Sequence, residues 1–168
     1  CEDEINYGDD VIVVTSRFSE VLELFQRELM SIAECMGQFD DMILFFSSPK
    51  NFRKKIYPEY KAHRAEPPED LIPQFPLMRA AVRAFGLTPI EQDVYEADDL
   101  IATYAAQARA KGAEVLIISA DKDLMQLIGP GVRMYDPASG VAGAKGAREE
   151  RMIGEQEVVD YFGVTPDK

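Results

Sequence analysis

Histidine occurs once, at His63, and cysteine only at Cys1 and Cys35. One imidazole and two thiols exclude a zinc site of the usual kind, which draws on several nitrogen and sulfur ligands. Two cysteines are too few for a disulfide framework and suit a reducing, cytoplasmic compartment. Long apolar runs are missing as well: stretches such as 42–46 and 115–118 fall far short of the ~20 residues a membrane helix needs. No membrane partner is expected. No charged leader with an apolar stretch opens the chain, so no signal peptide is expected either. A glycine-rich phosphate loop and a Gly-x-Ser-x-Gly elbow are both absent, which removes two common sources of phosphate binding and nucleophilic catalysis. Cations are scarce, 18 Lys and Arg against 30 Asp and Glu for a net charge of −12. On average that argues against a nucleic-acid binder, because phosphate needs cations.

What is present is enough for one domain. The chain has 168 residues, 46% of them hydrophobic, so a core can form without staples. The charge is unevenly spread: residues 50–64 hold six Lys or Arg and one acid, a local +5, leaving −17 elsewhere. Such asymmetry says more than the total. A basic segment beside carboxylates suits a metal-dependent nuclease, and equally an acidic protein with one solvated basic loop. The chain starts at Cys1 without an initiator Met, which suggests a fragment.

Hydrophobic spacing predicts strands over 11–15, 42–46, 90–94, 115–119 and 132–135. It predicts helices over 19–36, 70–85 and 97–111, with one or two helical turns over 123–128 and a last helix over 155–162. Ser19 is the expected N-cap of the first helix, and Gly37, Gly86 and Gly112 are expected stops. Pro76 is expected to delay the second helix. Residues 47–68 lack clean periodicity and 137–151 are rich in Gly, Ala and charge; both read as mobile loops. Buried strands alternating with helices imply an α/β fold with a parallel sheet and helices on both faces. In that class the site lies at the carboxyl ends of the strands.

Two acidic groups fall there. Glu96, Asp98 and Asp99 open the helix over 97–111, and Asp121 and Asp123 follow the strand over 115–119. Five carboxylates gathered in one pocket would raise one another's pKa unless cations held them ionised. Mg²⁺ or Mn²⁺ suits that set, because it takes oxygen ligands and keeps waters. Two such ions can activate a water and stabilise the leaving oxygen of a phosphodiester. The same residues also suit local structure: acids at a helix N-terminus are favoured by its dipole, and an Asp-x-Asp after a strand often makes a turn and a cap. In the basic segment, Arg and Lys would neutralise phosphates while Phe52, Tyr57 and Tyr60 stacked on unpaired bases. Alternatively it is a solvated loop with Phe52 and Tyr57 in the core. His63 reads as a surface residue or a phosphate contact.

These residues combine into a resemblance. Phe52-Arg53-Lys54-Lys55-x-Tyr57-Pro58-Glu59-Tyr60-Lys61-Ala62-x-Arg64, Tyr95-Glu96-Ala97-Asp98-Asp99-Leu100-Ile101 and Ser119-Ala120-Asp121-Lys122-Asp123-Leu124 resemble motifs of the 5′-nuclease family. That family comprises the 5′→3′ exonuclease domain of bacterial DNA polymerase I and the phage flap endonucleases. Residues 152–168 are similar to the entry into its helix–hairpin DNA-binding region, and residues 1–48 are more like the phage members. The resemblance implies a PIN-like (5′-nuclease) domain over 1–168 with a helical arch, including the basic segment 50–68, above the active site. It implies that the N-terminal strand and the C-terminal helix–hairpin region are truncated here.

It further implies hydrolysis of DNA by two-metal-ion catalysis, on 5′ ends, flaps or RNA primers, by a monomer. Glu96, Asp98, Asp99, Asp121 and Asp123 would be metal ligands, Asp121 being catalytic. Lys61 would steady the scissile phosphate, Tyr60 would stack on a terminal base, and Arg53, Lys54 and Arg64 would bind DNA. Ser47 and Ser48 stand where the family normally has another Asp. That departure supports an alternative, a DNA-structure-binding module that does not cut. A topoisomerase-primase-like domain and a PIN-type ribonuclease are further readings.

Overall fold

A computed structural model describes residues 2–6, 12–16, 18–35, 40–137, 149–166 and 168. The chain divides into two compact units, one formed by 1–46 and 51–91, the other by 47–50 and 92–168.

In the first unit, β1 (Glu2–Asn6) pairs antiparallel with β2 (Ile12–Ser16), from Glu2 opposite Ser16 to Asn6 opposite Ile12. The second of these strands was expected one residue earlier; the acidic first strand carries no apolar alternation and was not. Helix α1 (Phe18–Cys35) buries Leu29 and half-buries Phe25 and Ile32, the spacing expected of an inward stripe. Ser19 lies inside this helix rather than capping it. Strand β3 (Ile43–Phe46) is parallel to β4 (Thr88–Glu91), with Ile43 opposite Thr88 and Phe46 opposite Glu91.

Between those strands come the short α2 (Phe52–Ile56) and α3 (Gln74–Ala84). The latter starts four residues later than the spacing predicts. Residues 70–73 form turns, and Pro76 falls at the third helical position, where an N–H would have no partner anyway. The side chain of Gln74 is buried and donates to the Asp70 carbonyl at 3.0 Å, tying that turn to the helix. Val82 is fully buried, and α3 packs on both α1 and β4. Arg79 joins helix to sheet: its Nε lies 2.6 Å from Glu91 Oε2 and its guanidinium 5.0 Å from the centre of the Phe46 ring.

In the second unit, β5 (Val115–Ile118) is parallel to β6 (Val132–Asp136), which pairs antiparallel with β7 (Arg151–Ile153). Helix α4 (Ala97–Ala110) packs on β5, and α5 (Glu155–Phe162) packs on β7. A 3-10 helix (Lys122–Leu127) carries the chain from β5 toward β6 and covers α4. The core is Ala105, Ile117, Leu124, Met125, Ile128, Val132, Met134, Ile153 and Val158. Strand β6 alternates inward and outward, burying Val132, Met134 and Asp136. Asp136 is charged yet only 1% exposed; its Oδ2 accepts from Nε and Nη2 of Arg151 on β7, both at 3.1 Å.

Parallel pairing and flanking helices agree with the expected α/β class. The strand expected at 90–94 sits at 88–91 instead, because residues 92–95 form a turn closed by Tyr95 N–H to the Gln92 carbonyl. Strand β7 was not expected, since its three residues are too few to show a period. Most of the loop read over 137–151 lies outside the described residues. Among the described residues no helix is long and apolar enough to cross a membrane.

Candidate active site

Both acidic motifs belong to the second unit. Helix α4 has 14 residues, about 21 Å at ~1.5 Å per residue. Only residues 111–114 join it to β5, against which it packs. The helix and the strand are therefore antiparallel. The run from Val115 to Asp121 covers about 20 Å at ~3.3 Å per residue. Glu96, Asp98 and Asp99 at the start of α4 thus lie at the same end of the unit as Asp121 and Asp123 after β5.

The start of α4 is closely tied. Asp99 Oδ2 accepts the Glu96 N–H at 3.0 Å, and the Asp99 N–H donates back to the Glu96 carbonyl at 3.1 Å. Glu96 is the N-cap by backbone position and shares a capping box with Asp99, the third residue of the helix. Ser47 Oγ, just past β3, accepts the Ala97 N–H at 2.9 Å. The next residue, Ser48, is buried; its N–H donates to the Tyr95 carbonyl at 3.1 Å, and its Oγ accepts the Lys50 N–H. Lys50 lies 3.7 Å from the carboxylate of Asp93 in the turn before the motif. In that turn Val94 has φ +70°, a left-handed conformation rare for a β-branched residue.

The second motif is also turned on itself. Asp121 Oδ1 accepts the Asp123 N–H at 2.9 Å and so caps the 3-10 helix. Asp121, Asp123 and Asp98 are exposed, while Glu96 and Asp99 are half-buried. The oxygen-only donors suit a hard cation in kind. As they stand, however, no three Asp, Glu, His or Cys side chains among the described residues are placed to hold a metal ion. Of the five expected ligands, Glu96 and Asp99 share the capping box of α4 and Asp121 caps the 3-10 helix.

The basic segment from residue 51 onward belongs to the first unit. Asn51 caps α2 by accepting the Arg53 N–H at 2.9 Å. The Arg53 guanidinium lies 4.7 Å from the centre of the Phe52 ring and 5.8 Å from that of Tyr60; Lys61 Nζ is 5.0 Å from the Tyr60 centre. These cation–π contacts gather Arg53, Tyr60 and Lys61. Lys54, His63 and Arg64 are exposed, as is Tyr57, which donates to Glu59 at 3.0 Å. Residues 57–64 are folded into consecutive turns, with Lys61 at φ +56°. The short helix and these turns replace the irregular loop read over this stretch. The sequence offered no sign of the Ser47 and Val94 geometry: the partner of Ser47 is fifty residues away.

The model of the 5′-3′ exonuclease, N-terminal resolvase-like domain, matches residues 9–163. A DNA polymerase I of Rhizobium leguminosarum is 51% identical over 126 residues, 75% of this chain and 11% of that protein. A DNA polymerase I of Bacillus caldotenax is 36% identical over 132 residues, 76% of this chain and 15% of that protein. The chain thus spans a small fraction of the relatives it matches. Two bacteriophage T5 structures share its fold. One, the 5′-exonuclease with divalent zinc bound, has a TM-score of 0.57 at 18% identity and covers 85% of this chain and 53% of that one. The other, a flap endonuclease complex with DNA and metal ions, has a TM-score of 0.59 at 20% identity and covers 88% and 53%. With the acidic turns and the basic aromatic segment in place, the chain belongs to the family of the 5′-3′ exonuclease N-terminal, resolvase-like domain.

Proposed function

We propose that the protein hydrolyses phosphodiester bonds in DNA as a 5′→3′ exonuclease or flap endonuclease. What supports this reading is the connectivity, in which four residues join α4 to β5 and so carry both acidic turns toward one end of the second unit, in a chain of this family. Supporting it, one of the T5 structures has divalent zinc bound and the other holds DNA and metal ions. Mg²⁺ or Mn²⁺ is the proposed cofactor, in the two-ion form the resemblance implies, with Glu96, Asp98, Asp99, Asp121 and Asp123 as its holders. These side chains would have to close around a cation, since no three of those described do so as they stand.

The basic segment would supply the complementary charge. Lys54 and Arg64 are exposed and suited to phosphate. Arg53 and Lys61 lie against the Tyr60 ring; in this reading Lys61 steadies the scissile phosphate and Tyr60 stacks on a terminal base. The proposed substrates are 5′ ends, flaps and RNA primers, and the proposed active form is a monomer.

A module that binds DNA without cutting it is the second reading. It is favoured by the serine pair in place of an expected Asp and by the lack of an assembled donor cage among the described residues. One experiment separates the two. The intact protein and its Asp121→Asn variant are incubated with a labelled 5′-flap duplex, in Mg²⁺ or Mn²⁺ and in chelator. Cation-dependent cutting that Asp121→Asn lowers at least a hundredfold is expected. Equal cutting by the variant would refute the assignment of Asp121, and binding without cutting by the intact protein would establish the second reading.

A further inference from the structure

Within 51–68 the half-buried residues are Asn51, Phe52, Arg53, Tyr60 and Lys61, and the rest are exposed. Asn51 is the cap of α2; the other four form two adjacent pairs separated by the exposed run 54–59. Arg53 joins the pairs. Its guanidinium lies 4.7 Å from the centre of the Phe52 ring and 5.8 Å from that of Tyr60, both within the ~6 Å reach of a cation–π contact. Its backbone closes the same circuit: the Arg53 carbonyl accepts the Tyr57 N–H at 2.7 Å, and the Tyr57 carbonyl accepts the Tyr60 N–H at 3.0 Å. Main chain and side chain of one residue thus both bear on where the Tyr60 ring sits. Lys61 Nζ also lies 5.0 Å from that ring, but the nuclease reading gives Lys61 to the scissile phosphate, so Arg53 is the cation that stays.

We propose that Arg53 is a positioning residue rather than a phosphate contact: its guanidinium, lying over Phe52, holds the Tyr60 ring in place to receive an unpaired terminal base. The proposal deepens the nuclease reading and rests on Tyr60 meeting a base there. A guanidinium is flat and weakly hydrated, which suits it to an aromatic face. A ring already held in its bound orientation has less freedom to lose when a base stacks on it, so affinity rises without a new contact to DNA.

The test uses the full-length protein and a 5′-flap duplex with 2-aminopurine as its terminal base, in chelator, so that binding is read without cutting. Anisotropy over a salt series gives affinity and salt slope, and the fluorescence of the base analogue reports stacking. Tyr60→Ala is expected to remove most of the fluorescence change on binding and to weaken binding about fivefold or more. Arg53→Ala is expected to lose about half or more of that fluorescence change and to weaken binding about threefold, with the salt slope unaltered. The double variant is expected to match Tyr60→Ala alone. Lys54→Ala, a phosphate contact in the nuclease reading, is expected to do the opposite, flattening the slope by about 0.7–0.9 with the fluorescence change intact. A slope flattened as much by Arg53→Ala as by Lys54→Ala overturns the proposal. So do additive losses in the double variant, or an unchanged fluorescence response in Tyr60→Ala. Cutting of the same flap by the unaltered protein in Mg²⁺ is scored separately: its absence refutes the nuclease reading, and the measurements in chelator still decide the role of Arg53.

Discussion

The carboxylate of Asp99 accepts the backbone N–H of Glu96 at 3.0 Å, so one acid of the motif organises the peptide that carries another. Asp99→Asn keeps an acceptor oxygen, whereas Asp99→Ala strands the donor. A hydrogen bond of this kind contributes about 0.5–1.5 kcal/mol net. Urea unfolding should therefore rank the variants with Asn near the unaltered protein and Ala about 1 kcal/mol below it. Equal stability of the two would show that the cap contributes nothing.

Arg151 should matter more to stability than a surface arginine does. Its side chain is 49% exposed, but the carboxylate it grips on Asp136 is only 2% exposed. Removing one partner of a buried pair costs about 3–5 kcal/mol, and partial access of water at Arg151 brings the expectation for Arg151→Ala to about 2 kcal/mol. Arg151→Lys should lie between, since it keeps the charge but loses the two-pronged geometry. Chemical denaturation midpoints decide this.

At Val94 the backbone is in the left-handed region, φ +70°. Placing a Cβ there costs about 1–2 kcal/mol, which glycine avoids. Comparing Val94→Gly with Val94→Ala removes the side chain in both cases and isolates the backbone. The glycine variant should be the more stable by about 1 kcal/mol in thermal or urea unfolding. The reverse order would mean that the turn does not hold this conformation in solution.

Lys54 and Arg64 are exposed, so their loss should weaken DNA binding without unfolding the chain. Each phosphate contact contributes about 0.9 to the slope of log affinity against log salt on duplex DNA. The double variant Lys54→Ala with Arg64→Ala should flatten that slope by roughly 1–2. Fluorescence anisotropy in chelator, over a salt series, reads it directly. An unchanged slope would remove both residues from the interface.

Residues 51–68 contain no buried side chain, whereas β5 buries Ile117 between α4 and β6. Segments with few buried contacts open locally at low cost. Amides in 51–68 should exchange faster than those of Val115–Ile118 by at least about tenfold when no DNA is present. Slower exchange in the basic segment would contradict its reading as a mobile element.

Where local periodicity was strong, the elements could be read from the sequence. Helix α5 has the expected bounds, α4 ends one residue early, and β5 and β6 lie within a residue of expectation. The family motifs were legible for a related reason: Glu96, Asp98, Asp99, Asp121 and Asp123 each sit within a few residues of a strand end or helix start. The alternation around them marks those places. Short elements were not legible. Strand β7 is three residues long, and the displaced β4 was obscured because Pro89 and the polar Gln92 and Asp93 blur its limits.

By itself the sequence determined the α/β class, the long helices and the chemistry on offer: oxygen donors in two acidic turns and cations in one basic segment. Those depend on residue type and near-neighbour spacing. Only the tertiary structure decided that Ser47 would bind the first amide of α4, that Val94 would take a left-handed turn, and that Asp136 would be buried against Arg151. The first and the last depend on a partner brought from elsewhere along the chain, and the left-handed residue on the closure of its own turn. A hydrogen bond between distant segments leaves no period in the residues that make it.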